Sequence, residues 1–408
     1  MNCRHCKENL KYLFLDLGNT PISNAYLTKD DLVRSETSYP LRVFVCTECW
    51  LVQTEDCLEV DRLFTSDYAY FSSTSKSWLD HAKFYSEKIR KRLLLNSNSL
   101  VVEIASNDGY LLKNFVKSKI PCIGIEPTNS TAEAAEKLNI PVYRDFFGEK
   151  LARNLAADGI KADLIIGNNV YGHVPDIDDF THGLNILLKN NGTITLEFAY
   201  LLKLIQQSQF DTVYHEHFSY LSLHAVKSIF EKNKLRIYDV EVLDTHGGSL
   251  RVYGCHKKAA FATKAIVNEQ LEKEKSLGML NLEIYLNFQQ KAESVKSQLM
   301  AFLVEKKKQG KSVVGYGAAA KGNTLLNYAG VKTNLLPFVC DAAPSKQGHY
   351  LPGSRIPILP PKYINLKKPD YILILPWNLK KEIIDQLAYV KNWGGKLVLP
   401  IPSLKIIN

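Results

Sequence analysis

Residues 100–198 carry short apolar runs that alternate with segments of helical spacing. This rhythm is typical of β-α-β units in a mostly parallel sheet. The predicted strands are 101–104, 122–125, 141–143, 164–166 and 193–198, and the predicted helices are 111–116, 131–138 and 149–157. Two later runs, 237–242 and 250–253, flank a pair of glycines and predict an antiparallel hairpin at the edge of the same sheet.

The rhythm resumes near the C-terminus, after a highly charged stretch at 262–310. Apolar residues recur in that stretch at steps of three and four, which predicts a long amphipathic helix. They are Phe288, Ala292, Val295, Leu299 and Phe302. The second α/β unit is expected to contain strands 313–314, 338–340, 371–375 and 397–399 and helices 319–328 and 379–389. We therefore predict an α/β protein with a cysteine-rich module at 1–66, an α/β domain at 67–261, and a linker helix with a second α/β domain at 262–408.

The composition narrows the function classes. The chain has 408 residues, of which 46% are hydrophobic and 23% charged, as expected for a globular protein of two or three domains. No apolar run approaches the roughly 20 residues of a membrane span, and the N-terminus is no secretory signal, so we expect a cytoplasmic protein without membrane contact. The formal charge of +9 is spread along the chain, which favours an anionic small substrate over nucleic acid.

Two C-x-x-C pairs predict a structural zinc site. The four cysteines are Cys3, Cys6, Cys46 and Cys49. Each pair places two thiolates on one side of an ion, which suits tetrahedral Zn²⁺ better than the alternative of free thiols. His5 lies inside the first pair and could compete as a ligand, but we expect it to point to solvent. A site of four thiolates is closed, so this zinc should stabilise the module rather than act on substrate.

The first predicted strand of the sheet ends in a turn of small and polar residues, 103–109. Ligands of doubly wound sheets bind at the carboxyl ends of the strands. The turn lacks the G-x-G-x-x-G of a dinucleotide site, which favours a nucleoside without phosphate, such as S-adenosylmethionine, with Glu126 accepting hydrogen bonds from ribose hydroxyls. The predicted cofactor-binding residues are Glu103, Ala105, Ser106, Asn107, Gly109, Glu126, Asp145, Phe146 and Asn168.

A second strand-to-helix turn, 315–323, contains glycines and a lysine. The backbone N–H groups of such a turn bind phosphate, and Lys321 would add a positive charge. The alternative is that the glycines only permit tight packing of strand and helix, but this does not explain why a lysine stands at position 321. We therefore expect Gly317, Lys321, Asn323 and, after the next strand, Asp341 to contact the substrate.

The run Tyr214-His215-Glu216-His217 concentrates groups that move protons near neutral pH. On a strand, the two histidines would share one face, and Tyr214 and Glu216 the other. His173, which follows the fourth predicted strand, is expected to face the same crevice. The helical spacing of H-E-x-x-H is absent, which argues against a metal, while a purely structural role in a domain seam stays open.

A stretch rich in hydroxyl groups, 67–75, precedes a predicted helix at 78–95. Ser75 or a neighbour could cap that helix, because serine oxygens accept hydrogen bonds from the first N–H groups of a helix. The stretch could equally line a sugar or phosphate pocket, with Tyr70 and Ser73 against the substrate. The local sequence favours neither interpretation.

The chain resembles the S-adenosylmethionine-dependent sugar C-methyltransferases that act on nucleotide-linked 4-keto deoxysugars. The resemblance rests on motifs in one order: two N-terminal Cys pairs, D-Y-x-Y-x-S-S, E-I-A-S-N-D-G, N-N-V-x-x-H-V, Y-H-E-H, G-G-S-L-R-V and G-Y-G-A-A-A-K-G-N-T-L-L-N-Y. It implies a zinc-binding module, a central class I methyltransferase domain of Rossmann-like fold that binds S-adenosylmethionine, and a second Rossmann-like domain that helps to hold the nucleotide sugar. The active-site positions it implies are Tyr68, with Tyr70 as an alternative, His173, Tyr214, Glu216 and His217.

The resulting hypothesis is methylation at C3 of a nucleotide-linked 4-keto-6-deoxy sugar by a monomeric enzyme. A ketone at C4 acidifies the C3 proton, but a positioned base and a stabilised enolate are still needed. We expect His217 to be the base, Tyr214 and His173 to stabilise the enolate, Glu216 to orient or tune His217, and Tyr68 to hold the sugar. The alternatives are an O- or N-methyltransferase acting on a nucleotide sugar, a nicotinamide oxidoreductase that uses the C-terminal turn, and a zinc-ribbon nucleic-acid-binding protein.

Overall fold

The computed structural model describes residues 1–56 and 71–407, and this part of the chain forms three β-sheets flanked by helices. The strands are β1 (Tyr12–Thr20), β2 (Tyr39–Val45), β3 (Val52–Thr54), β4 (Val101–Ile104), β5 (Cys122–Ile125), β6 (Val142–Tyr143), β7 (Ala162–Asn168), β8 (Leu188–Ala199), β9 (Ser219–Tyr220), β10 (Leu235–Leu243), β11 (Ser249–His256), β12 (Val313–Tyr316), β13 (Val339–Cys340), β14 (Ile358–Leu359), β15 (Tyr371–Ile374), β16 (Lys396–Leu399) and β17 (Lys405–Ile407). The helices are α1 (Lys76–Arg92), α2 (Lys113–Lys117), α3 (Asn129–Glu136), α4 (Glu149–Ala157), α5 (Ile177–Leu187), α6 (Leu201–Gln206), α7 (Leu223–Lys232), α8 (Ala265–Ser276), α9 (Leu282–Leu286), α10 (Phe288–Lys308), α11 (Ala320–Ala329), α12 (Lys362–Lys367) and α13 (Lys380–Gln386).

The N-terminal sheet has the order β1-β2-β3-β9, and each neighbouring pair is antiparallel. Its fourth strand, β9, comes from the middle of the chain and pairs Tyr220 with Val52 and Ser219 with Gln53. β9 begins two residues after His217. The sheet of the cysteine-rich module is therefore completed by the segment that directly follows the Tyr214–His217 run.

The middle sheet has the order β10-β11-β8-β7-β4-β5-β6. The strands from β8 to β6 are parallel, and β10 and β11 form the predicted antiparallel hairpin at one edge. β4 has β5 on one side and β7 on the other, so the carboxyl end of β4 is a topological switch point, where doubly wound sheets bind ligands. The turn predicted to bind the cofactor starts at this point.

The C-terminal sheet repeats this plan, with the order β14-β13-β12-β15-β16-β17 and only the last pair antiparallel. β12 lies between β13 and β15, so its carboxyl end is a second switch point. The glycine-containing turn that begins after Tyr316 starts there. Each α/β unit thus carries its candidate ligand turn at the equivalent place.

The linker differs from the single long helix expected for 262–310. Three helices, α8, α9 and α10, occupy it, because Gly278 adopts a φ of +86° and Asn281 caps α9 by accepting a hydrogen bond from Glu283 N at 3.0 Å. The predicted apolar face is nevertheless buried: Phe288, Ala292, Val295, Leu299 and Phe302 are 0–6% exposed. Phe288 stacks on Phe14 with ring centroids 4.6 Å apart, so α10 packs on the N-terminal sheet.

The larger of two buried apolar clusters runs through all three sheets, from Cys3 to Ile401. The second fills the opposite face of the middle sheet, where Trp78 and Tyr85 of α1 pack near Phe115 and Tyr253. Within the described ranges, no helix has both the length and the apolar character needed to cross a bilayer.

Candidate active site

The four predicted zinc ligands lie together. The sulfur atoms of Cys3, Cys6, Cys46 and Cys49 are all within 4.8 Å of one another, with 3.5 Å between Cys3 and Cys49 and 3.4 Å between Cys6 and Cys46. Four sulfurs at about 2.3 Å from a tetrahedral Zn²⁺ stand about 3.8 Å apart, so this donor set fits zinc. Gln53 Nε2 also donates to Cys3 Sγ at 3.3 Å, which ties the site to β3.

The expectation that His5 points to solvent is wrong. Its side chain is 3% exposed, and its ring nitrogens bond to Asp178 Oδ1 at 2.9 Å and to Ser228 Oγ at 3.0 Å. Asp178 lies on α5 and Ser228 on α7. His5 therefore joins the cysteine-rich module to the helices of the middle sheet. The sequence near His5 could not predict its partners, because only tertiary packing brings them together.

The turn after β4 is held by Glu126. Its carboxylate accepts hydrogen bonds from Asn107 N at 2.9 Å and from Thr128 N at 3.0 Å. Ala105, Asn107 and Gly109 all have positive φ, and a Cβ at Gly109 would collide with Ile140. Such a turn exposes backbone N–H and C=O groups to a ligand at the switch point.

Several predicted cofactor residues have buried polar atoms that lack a hydrogen-bond partner among the described residues. Besides the two carboxyl oxygens of Glu103 within β4, these atoms are Ser106 Oγ and both polar side-chain atoms of Asn168. Ser106 follows β4 and Asn168 ends β7, so they stand on adjacent strands at the carboxyl edge. Orphaned polar groups at this place fit a polar ligand such as S-adenosylmethionine, because unpaired buried groups are otherwise costly.

The remaining predicted cofactor residues occupy the core and the rim of this crevice. Glu103 lies within β4 and is buried, and burial raises the pKa of its carboxyl well above the ordinary value. Asp145 and Phe146 follow β6 and are exposed, and Asp145 Oδ1 accepts from Phe146 N at 2.8 Å. Ser73, which is predicted to contact substrate, donates its backbone N–H to Asp108 Oδ2 at 3.0 Å, beside the turn predicted to bind the cofactor.

The hydroxyl-rich stretch is described only from residue 71 onwards, so Tyr68 and Tyr70 lie outside the described residues. Its described end supports the capping interpretation, because Ser75 Oγ accepts from Trp78 N at 3.3 Å at the start of α1. Ser72 N donates to Asn107 Oδ1 at 2.9 Å, so the same stretch also contacts the cofactor turn. The two interpretations of this stretch are therefore compatible.

The second turn repeats the arrangement of the first. Asp341 accepts from Ala318 N at 2.6 Å and from Ala343 N at 2.7 Å, as Glu126 does in the middle sheet. Gly317 has a φ of +90°, and a Cβ there would collide with Pro376, so packing alone explains this glycine.

Lys321 and Asn323, at the start of α11, face the rest of the protein. Asn323 is fully buried, and its Nδ2 donates to Ser23 O at 2.6 Å. The Nζ atom of Lys321 lies 3.5 Å from His246 O and 5.0 Å from the centroid of the Trp377 ring. Burial lowers the pKa of Lys321, and the nearby charge of Asp211 opposes this shift. Lys321 thus points towards the Tyr214–His217 run.

That run is a turn and not a strand. His217 N donates to Tyr214 O at 2.9 Å, which closes a turn of four residues and brings the two rings to a centroid distance of 3.9 Å. Tyr214 and His217 are half-buried, whereas His215 and Glu216 are buried. The predicted pairing of alternate residues is therefore wrong, and Tyr214 shares a side with His217.

The tautomer of His217 follows from its hydrogen bond. Its Nδ1 lies 2.8 Å from Thr212 O, and a carbonyl only accepts, so Nδ1 carries the proton and Nε2 carries the lone pair. The ring of His173 is 4.5 Å away, centroid to centroid. Burial first, and then the charges of His173 and Lys321, lower the pKa of His217 well below its ordinary value, and burial lowers that of His173 to about 4. Both imidazoles are neutral at pH 7.

Glu216 does not orient His217, because Thr212 O occupies the orienting position. Glu216 is 0% exposed, and its Oε1 accepts from Asn24 Nδ2 at 2.9 Å. His215 Nε2 bonds to Pro40 O at 3.2 Å. Asn24 and Pro40 both belong to the cysteine-rich module, so this module contacts the run directly.

Sequence reasoning missed a buried ionic cluster beside the site. Glu197, at the end of β8, accepts from His81 Nε2 at 2.9 Å, from Thr245 Oγ1 at 2.8 Å and from the guanidinium of Arg251. Burial alone would raise the pKa of Glu197, but His81 and Arg251 together lower it to about 2. Arg251 lies in the G-G-S-L-R-V motif, which was the only feature of the sequence that could have pointed to this cluster.

Asp211 was also missed, although it stands directly before the run. Trp377 Nε1 donates to Asp211 Oδ2 at 2.6 Å, and burial raises the pKa of Asp211 to about 6. Thr324 of α11 donates its hydroxyl to Val213 O at 3.0 Å. The segment that leads into the run is thus fixed by the C-terminal unit.

Three family models match the chain in order: a zinc binding domain at residues 3–64, a methyltransferase domain at 77–240 and a C-methyltransferase C-terminal domain at 244–402. The C-methyltransferase NovU of Streptomyces niveus is 34% identical over 406 residues, which cover 100% of this chain and 96% of that protein. The predicted order of a zinc-binding module, a methyltransferase domain and a further C-terminal domain is confirmed.

Two solved structures show weaker likeness. Magnesium protoporphyrin IX methyltransferase from Synechocystis PCC 6803, with bound S-adenosylmethionine, is 14% identical with a TM-score of 0.35, covering 50% of this chain and 100% of that one. An S-adenosylmethionine-dependent methyltransferase from Anabaena variabilis is 17% identical with a TM-score of 0.34, covering 42% and 83%. Likenesses this low add nothing to the family models.

Proposed function

The chain belongs to the C-methyltransferase family and is an S-adenosylmethionine-dependent enzyme with a structural zinc site, and from this premise we propose that it methylates C3 of a nucleotide-linked 4-keto-6-deoxy sugar. One observation carries the proposal: a neutral His217 lies 4.5 Å, centroid to centroid, from His173, which follows β7 of the middle sheet, and its pKa, which burial lowers, is lowered further by the charge of Lys321, which follows β12 of the C-terminal sheet. A site of this kind is suited to a methyl donor on one side and an anionic acceptor on the other.

His217 is the proposed base. The C3–H bond breaks, its electron pair passes into the C3–C4–O enolate, and Nε2 of His217 takes the proton. Burial penalises an isolated imidazolium, but this step creates an imidazolium and an enolate together, and their attraction in a buried site offsets the penalty. S-adenosylmethionine supplies the electrophilic methyl group when it is bound.

The enolate oxygen needs hydrogen-bond donors or positive charge. Tyr214, whose ring lies against His217, is the proposed donor, and Lys321 is the proposed source of charge from the C-terminal side. His173 is neutral and its ring hydrogen-bonds the Glu216 backbone, so it could donate to the same oxygen only by exchanging that partner. Tyr214 needs little reorganisation for this role, because Thr324 and Trp377 hydrogen-bond the segment that leads into the turn and Thr212 O holds the His217 ring.

We propose that each of the two switch points binds one of the two ligands. We propose that the donor lies against the turn after β4, with Ser106, Glu126 and Asn168 around it, and that Asp145 and Phe146 close over it. The nucleotide of the acceptor is proposed to lie at the turn after β12, near Asp341 and Lys321, which is consistent with the net charge of +9. Tyr68 stays a predicted sugar contact.

The test of the base is proton exchange. In the His217→Ala variant, deuterium wash-in at C3 of the acceptor should fall by about 10²–10⁴-fold, as for removal of a general base, while calorimetric affinity for S-adenosylmethionine is retained. His182→Asn, at a half-exposed histidine on α5, is the matched control and should exchange like the wild type. Undiminished exchange in His217→Ala would reject His217 as the base.

The test of the substrate is a panel of nucleotide 4-keto sugars with different bases, incubated with the enzyme and S-adenosylmethionine. The expected product gains one methylene by mass spectrometry, and carbon-detected NMR should locate the new methyl group on C3. A methyl group on oxygen or nitrogen would replace the proposal with O- or N-methyl transfer, and inactivity across the panel would remove this substrate class.

A further inference from the structure

Glu216 has an unusual environment for a buried carboxyl group. It is 0% exposed and has no ion-pair partner within the described ranges. Its Oε1 atom accepts the amide N–H of Asn24 at 2.9 Å, and Oε2 is buried without a hydrogen-bond partner in the part of the chain that the structure describes. A neutral amide from the zinc-binding module is therefore what holds this carboxyl group.

Asn24 is itself held firmly in place. Its neighbour Ser23 accepts a hydrogen bond from Asn323 Nδ2 at 2.6 Å, and its own carbonyl accepts from Tyr26 N at 3.0 Å. The hydroxyl of Tyr26 donates to Ala318 O at 2.6 Å in the second switch-point turn. Residues 23–26 are thus fixed between the C-terminal unit and the Tyr214–His217 turn, and the amide of Asn24 reaches Glu216 from a rigid support.

We propose that Asn24 is a positioning residue of the methyl-transfer site, which holds the Glu216 carboxyl group in its working orientation from the zinc-binding module. The inference rests on the proposed function only in taking the Tyr214–His217 turn as the reaction site. It assigns the module a part in catalysis in addition to its structural zinc, because the module supplies a side chain that contacts the reacting segment.

The pKa of the Glu216 carboxyl group depends on the groups around it. Asn24 from the module donates to the carboxyl group, Tyr220 lies close enough for the charge of Glu216 to add to the rise in its pKa that burial causes, and the ring of His173 hydrogen-bonds the Glu216 backbone. Burial raises the pKa of Glu216, and hydrogen bonds from its own backbone and from the Asn24 amide oppose this shift. With both neighbouring histidines neutral at pH 7, the amide is the group whose removal changes the carboxyl most directly.

The first test reads the carboxyl group itself. In the holoenzyme with zinc bound, the Glu216 carboxyl signal is identified by ¹³C-glutamate labelling and its loss in Glu216→Gln. The pKa of this group should rise in Asn24→Ala and stay unchanged in Asn19→Ala, which alters an exposed asparagine of the same module. An unchanged pKa in Asn24→Ala would overturn the inference, whatever the substrate proves to be.

The second test is a double-mutant cycle on turnover. Asn24→Ala should lower kcat about ten- to a hundredfold with zinc content and the affinity for S-adenosylmethionine retained, since the buried Glu216 carboxyl group loses the amide that holds it. In the Glu216→Gln background the same change should cost little more, because Asn24 acts through Glu216. Additive losses would mean a merely structural role and overturn the inference. A wild type inactive on every keto sugar would count against the proposed function alone, since the carboxyl measurement needs no substrate.

Discussion

At the scale of single residues, His173 and His217 are neutral because both are removed from water, and the charge of Lys321 disfavours a proton on His217 further. The cysteine spacing, the Ser75 cap and the apolar face of α10 could all be predicted, because each depends on positions a few residues apart. The bond from Asn24 to Glu216 could not, since 192 residues separate the partners and only the finished fold brings them together.

Burial of His173 makes stability depend on pH. Its pKa is about 4 in the folded state and about 6.5 when unfolded, so between these values the unfolded chain binds more protons. Its contribution is fully present above pH 6.5 and is lost as the pH falls towards 4. We expect unfolding by urea to show that His173→Asn narrows the difference in stability between pH 7.5 and pH 5 by on the order of 1–2 kcal/mol.

The control for this experiment is His182→Asn, which changes a half-exposed histidine and should leave the pH dependence as in the wild type. Loss of zinc at low pH affects all three proteins alike, so the comparison between variants removes it. An equal pH dependence in wild type and His173→Asn would show that the imidazole is not neutral in the folded protein.

At the scale of elements, the regular strands and helices agree with their sequence patterns, whereas the points at which helices are interrupted were not predicted. Helix α4 spans the predicted 149–157, but the linker divides at Gly278 and Asn281, whose turn chemistry the long apolar periodicity concealed. β9 has only two residues and carries no strand signal of its own. It becomes a strand because β3 offers its free edge, so tertiary pairing overrides local preference.

This pairing links the zinc site to the Tyr214–His217 turn. Gln53 of β3 contacts Cys3, and the neighbouring Thr54 donates its hydroxyl to His217 O at 3.2 Å. Removal of zinc by a chelator should therefore reduce deuterium exchange at the acceptor carbon before it weakens S-adenosylmethionine binding, which depends on the middle sheet. Exchange kinetics and calorimetry on the same chelated sample measure the two properties.

Zinc added back should restore exchange, which separates reversible loosening from denaturation. Thr54→Ala offers a comparison that keeps the four cysteines intact and should reproduce part of the loss. If exchange and cofactor affinity decline together in proportion, the zinc site supports the whole protein and not the turn in particular.

At the scale of the whole molecule, one buried cluster connects all three sheets, and buried polar contacts fasten the linker to it. Glu274 of α8 is 0% exposed and accepts from Tyr200 OH at 2.8 Å, Leu223 N at 2.6 Å and His224 Nδ1 at 2.7 Å. Its carboxylate caps the N-terminus of α7, the helix that follows β9. The α/β class and its two units were predictable from the periodicity of apolar residues. The hydrogen bonds of Glu274 were not, because this residue lies in a stretch rich in ordinary surface charges.

Glu274→Gln should destabilise the protein by about 2 kcal/mol, because the new amide NH₂ faces donors that lose their acceptor. Glu272→Gln changes an exposed carboxylate on the same helix and should have little effect. Denaturant unfolding of both variants at one zinc concentration measures the difference. Equal stabilities would show that water or neighbouring groups satisfy these donors without Glu274.

The late arrival of β9 has a consequence for biosynthesis. The four thiolates and the first three strands leave the ribosome long before residues 219–220, so the metal can load onto a nascent chain that still lacks its reaction centre. The catalytic turn takes shape only when the growing polypeptide returns to a sheet begun much earlier. We therefore expect that a growing chain can bind zinc before its Tyr214–His217 turn is in place.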